Sequence, residues 1–106
     1  MASKVTSLRQ VKKDLPDPRI AVAAANIYAT VNGQPGPVWS SMSLAHRREY
    51  LDMAQNIQAA LYIADGSAFK ASQILADYLP GSRSTEMAAG WWFIRIKAFM
   101  AVVRRV

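Results

Sequence analysis

Residues 75–92 read LADYLPGSRSTEMAAGWW, two apolar patterns broken by Pro80-Gly81. Leu75, Ala76 and Leu79 close the first pattern, and Pro80 cannot extend it, having no N–H and a ring that crowds the preceding turn. Ser82 and Ser84 stand just ahead of the second pattern. Its first turn holds Thr85 and Glu86, where a carboxylate meets the positive end of a helix. The run after Glu86, Met87-Ala88-Ala89-Gly90-Trp91-Trp92, is almost wholly apolar. A helix that begins this way is a packing element, so the stretch predicts two core helices joined by a capped turn.

The flanking sequence extends the same pattern. Ser67 is placed to cap a helix over 68–79 that carries Phe69, Leu75, Ala76 and Leu79 inward. Before it, Ser40, Ser41 and Ser43 offer caps for a long helix over about 44–65 that Gly66 closes. The inward stripe of that helix is Tyr50, Ala54, Ile57, Leu61 and Ala64, with Arg48, Asp52, Gln55 and Asn56 outside. Residues 32–38 contain two Gly and two Pro and form a loop. Asp17-Pro18 reads as an N-cap followed by proline at the first helical position, opening a helix over 18–31. One face of it is Ile20, Ala23, Ala24, Ile27 and Val31. The other, with Val22, Ala25 and Ala29, is hardly more polar, which predicts central burial. Phe93-Ile94-Arg95-Ile96-Lys97-Ala98 alternates like a strand, yet no earlier segment reads as a pairing partner, so it too is expected to be helix. The fold class is therefore all-α, a compact bundle of about four helices. Residues 1–16 form a basic arm or frayed helix, and 17–106 a single domain.

Composition narrows the function. Of 106 residues, 52% are apolar and 19% charged, which suits one folded domain. The absence of Cys excludes disulfides, thiolate metal sites and a Cys nucleophile. His46 is the only histidine; Glu49 and Asp52, beside Arg48, read as a solvated face rather than an acid–base pair. No phosphate-binding glycine loop or nucleophile motif is present. The expectation is a protein that is not an enzyme and uses neither cofactor nor metal. The longest stretch without Lys, Arg, Asp or Glu, 20–46, is interrupted by the loop. Its apolar part, about 12 residues, falls short of the ~20 that a membrane span needs. Pro16, Asp17 and Pro18 fit a secretion leader poorly, so a cytoplasmic location is expected.

The formal charge of +6 is uneven. Residues 1–19 carry +3 and residues 95–106 carry +4, leaving 20–94 at −1. Basic ends suit phosphate backbones or acidic partners. With them, residues 75–92 resemble a DNA-reading helix-turn-helix: Ala76 is the small residue, Pro80-Gly81 the turn, and Ser82-Arg83-Ser84-Thr85 the start of a recognition helix. Two departures weigh against it. Glu86 stands where an aliphatic anchor belongs, and after Arg83 no Arg, Lys, Asn or Gln appears until Arg95. Nucleic-acid binding through Arg83, Ser84, Arg104 and Arg105 is thus the alternative function.

Trp39, Met42, Arg47, Tyr50, Ala54 and Ile57 place an aromatic ahead of a helix with Tyr50 and Ile57 on one face, so the Trp packs on the first turns like a staple. Over about 20 residues this resembles the Trp-to-third-helix segment of HMG boxes. Pro35-Gly36-Pro37 replaces the helix expected upstream there, and the basic outer face is missing. The pattern looks more like a packing device of short helical bacteriophage proteins. In size and helical character the whole chain is similar to small all-helical phage accessory proteins of anti-CRISPR type, without a diagnostic motif. That resemblance implies a stoichiometric inhibitor that binds a host protein complex, a Cas component, sterically and as a monomer or small homo-oligomer. Its +6 charge departs from acidic DNA mimics. Trp91 and Trp92 lie about 100° apart on a helix, so both cannot enter one core. Trp91, Trp92, Arg95 and Lys97 are the candidate partner-binding residues.

Overall fold

The computed structural model describes residues 19–33, 42–78 and 85–103. These form four helices, α1 (Ile20–Asn32), α2 (Leu44–Ile63), α3 (Ala68–Tyr78) and α4 (Thr85–Met100), with no strand among the described residues. Two of them begin at serine caps. Ser43 Oγ accepts the His46 amide at 3.2 Å, and Ser67 Oγ accepts the Lys70 amide at 3.1 Å. Each bond satisfies a donor that the first helical turn would leave open. Residues 93–98 are continuous with α4, so their alternation is coincidental and not a strand signal.

The ends of α1 and α2 differ from expectation. α1 starts at Ile20 with Arg19 as its N-cap residue, whose side chain makes no capping hydrogen bond. The Asp17-Pro18 cap falls outside the described residues, as do the arm over 1–16, Trp39, Ser40, Ser41, Leu79 and the Pro80-Gly81 turn. Asn32 belongs to the helix, not the loop, and Gly33 ends it in the left-handed region at φ 65°. The end of α2 is a Schellman arrangement: the Asp65 amide donates to Tyr62 O at 3.2 Å and the Gly66 amide to Leu61 O at 2.8 Å. Asp65, at φ 57°, takes the left-handed position expected of a glycine. A short polar side chain tolerates that conformation better than most.

Each helix packs on two neighbours in a closed ring, α1–α2–α3–α4–α1, while α2 barely touches α4 across the diagonal. Alanine governs the interior. Ten of the nineteen buried hydrophobic residues among those described are alanine, which permits close approach of the helices and leaves few large side chains between them. The bulk comes from Ile27 of α1, Ile57 and Leu61 of α2, Leu75 of α3, and Ile96 and Phe99 of α4, all fully enclosed.

This packing alters three expectations. α1 is not the central helix, because Val22 is 58% exposed and Ala25 and Ala29 are only half-buried. Its small side chains made a nearly uniform surface that its neighbours cover on one side only. α2 is more enclosed: residues 56–61 are all buried, including Asn56, which the helical pattern placed outside. Asn56 stays compatible with burial by donating to Asp52 Oδ2 at 3.5 Å one turn back. Phe69, expected in the core, is 64% exposed. Removing the largest enclosed side chain tests the packing: Phe99→Ala is expected to cost about 3–5 kcal/mol in urea unfolding, and Phe99→Leu under about 1.5 kcal/mol.

Candidate protein-docking surface

α4 builds the surface because its two sides have different duties. Ala88, Trp92, Ile96 and Phe99 recur at helical spacing and face the core, with Val103 continuing their line just past the helix. The opposite arc, Gly90, Phe93, Ile94, Lys97 and Ala101, is exposed. Ile94 is 55% exposed and Phe93 38%, although both are large apolar side chains directly after the apolar run that argued for packing. One helix thus anchors itself by one face and presents the other.

The candidate partner residues divide between these duties. Trp92 is buried, and Trp91 is half-buried at the boundary; the rings meet edge-to-face with centroids 5.1 Å apart and planes at 83°. Arg95 lies over the outer ring. Its Cζ is 3.6 Å from the Trp91 ring centroid, and one of its terminal nitrogens donates to Trp91 O at 2.9 Å. A cation–π contact and a hydrogen bond to the same residue hold the guanidinium in one place. On the helix side that meets α1, Asn26 Nδ2 donates to Ala98 O at 2.8 Å and ties α1 to α4. Lys97 stands on the far side of the exposed arc, exposed, with Nζ 5.9 Å from the Phe93 ring centroid. Arg95 and Lys97 therefore do not share a face, as helical geometry requires of residues two apart. Arg83, Ser84, Arg104 and Arg105 lie outside the described residues.

Between α3 and α4 lies a groove of about 600 Å³, lined chiefly by Phe69, Ser72, Gln73 and Asp77 from α3 and by Ala89, Gly90 and Phe93 from α4. Two aromatic rings flank small residues, and Asp77 and Gln73 are its exposed polar groups. Sequence reasoning missed it by assigning Phe69 to the core. The signal was available: Phe69 and Leu75 are six positions apart, about 240° around a helix, and cannot share a face. Phe69 instead lines up with Gln73 and Asp77 at four-residue steps. Ser72 Oγ donates to Phe69 O at 2.7 Å, so the polar group at the groove floor is satisfied locally.

His46 is exposed beside its capped amide at the start of α2. No three His, Asp or Glu side chains come together as metal ligands among the described residues, and none of their helices is long and apolar enough to cross a membrane. What α4 and the groove offer chemically is apolar area, one stacked guanidinium and isolated charges, which suits recognition of another macromolecular surface. Scans of this chain against protein-family models, curated proteins and solved structures each find no match.

Proposed function

We propose that the chain is a non-enzymatic helical binding protein that covers the surface of a host protein complex through the Trp91–Ile94–Arg95 side of α4. The observation that carries this reading is the Arg95 guanidinium stacked 3.6 Å from the Trp91 ring, next to an Ile94 that is 55% exposed. Trp and Arg are the residues most enriched among interface hot spots, and an apolar neighbour excludes water around them. Holding Arg95 in place before contact lowers the side-chain entropy lost on binding. Rigid support from Trp92, Ile96 and Phe99 beneath serves the same end.

The resemblance to phage accessory proteins of anti-CRISPR type makes a Cas protein the proposed target and steric inhibition the proposed mode. The exposed arc of α4 favours a protein target over duplex DNA. It carries a single cation, Lys97, among Gly90, Phe93, Ile94 and Ala101, whereas base edges are read by several hydrogen-bonding side chains.

Affinity capture from nuclease-treated bacterial lysate tests the reading. A stoichiometric protein partner is expected to be retained by the wild-type chain, with retention falling about tenfold or more for Trp91→Ala and Arg95→Ala. Retention of nuclease-sensitive material alone, or capture indifferent to both substitutions, contradicts it.

A further inference from the structure

We propose that the α3–α4 groove is a self-association surface whose occupant is α4 of a second copy of this chain. The groove is a different side of α4 from the one assigned to the host partner. Phe93 lines it, whereas Ile94 is displaced by about 100° and Arg95 by about 200° around the helix.

The groove is self-complementary. Its centre is apolar, with Phe69 64% and Phe93 38% exposed. Asp77 lines it together with Ala89 and Gly90, and Lys97 stands one helical turn beyond Phe93. When two α4 helices cross antiparallel about a two-fold axis at Phe93, residue positions pair so that Lys97 of each copy falls opposite Ala89 and Gly90 of the other. Asp77, at the C-terminal end of α3, lines the same groove as Ala89 and Gly90 near the start of α4. The same operation makes the contact twice, giving two Asp77–Lys97 pairs around a Phe93–Phe93 centre. Gly90 suits this approach because, apart from its chain neighbours and its own helical backbone, no atom of the described residues lies within 4 Å of where its Cβ would be, which leaves room for the incoming lysine stem. Within one copy Lys97 lies near its own Phe93 ring, so its aliphatic stem already lies along the surface that the second copy covers. An isologous contact of this kind closes at two subunits and leaves both Trp91–Arg95 faces outside it.

Sedimentation equilibrium of the full chain over about 1 to 100 µM tests the proposal. The wild-type chain is expected to form a dimer in that range. Phe93→Glu is expected to abolish it, and Asp77→Lys or Lys97→Asp each to weaken it about tenfold or more by setting like charges together. The double variant Asp77→Lys/Lys97→Asp restores the opposite pairing and is expected to recover the dimer. Arg95→Ala is expected to leave it intact while reducing host-partner capture, which separates this surface from the other. A wild-type chain that stays monomeric at the top of the range overturns the proposal. So does a dimer indifferent to Phe93→Glu, or a double variant no better than the single ones.

Discussion

The distance between helices is the constraint on which the molecule depends, and alanine sets it. Ala23 and Ala24 of α1, Ala54, Ala59 and Ala60 of α2, Ala71 and Ala76 of α3, and Ala88 and Ala98 of α4 are all enclosed. Small side chains allow backbones to approach toward the short end of the usual ~8–10 Å interaxial range. Dispersion contacts between well-packed atoms then replace the large side chains that a wider bundle would need. The few bulky residues are dispersed, so no single helix supplies the core. α4 contributes its largest side chains, Trp92 and Phe99, and α2 the longest continuous buried stretch, residues 56–61.

A core of this kind leaves apolar residues over. Four helices separated by alanines enclose little volume, and the outer sides of α3 and α4 keep Phe69, Phe93 and Ile94 in contact with water. Their exposure has two different characters. Ile94 lies beside an indole already covered by a guanidinium, a compact patch with a cation at its edge. Phe69 and Phe93 flank a depression with small residues between them, a shape that accepts a ridge. One rigid helix thereby presents a convex contact on one side and a concave one on the other, and the core holds the two in fixed relation.

Much of the architecture was legible in the sequence because its signals were chemical. Ser43 and Ser67 cap as their positions suggest, and the apolar run after Glu86 continues as a single helix through Met100. The misreadings of α1 and α2 share a cause, which is that alanine carries little pattern. A helix with alanine on every side gives no direction, so α1 read as central when its Val22 face is open. In α2 the alanines at 59 and 60 hid the breadth of its buried surface, and Asn56 entered it by bonding to Asp52. The docking surface was half legible. Trp91 and Arg95 were singled out by residue type, but that the guanidinium sits on the indole depends on rotamers that spacing does not state. The exposure of Phe69 was legible from its spacing to Leu75, but the groove itself needed two helices at once.

The close approach of alanine-faced helices is tested most directly by enlarging one of them. Ala60 of α2 is fully enclosed, and leucine adds apolar volume with little loss of helix propensity. If the helices meet as closely as the buried alanines imply, Ala60→Leu overpacks the interior and lowers stability by about 1–3 kcal/mol in urea unfolding at fixed protein concentration. A raised unfolding midpoint would show that the interior has room to spare, and would contradict the account at its base.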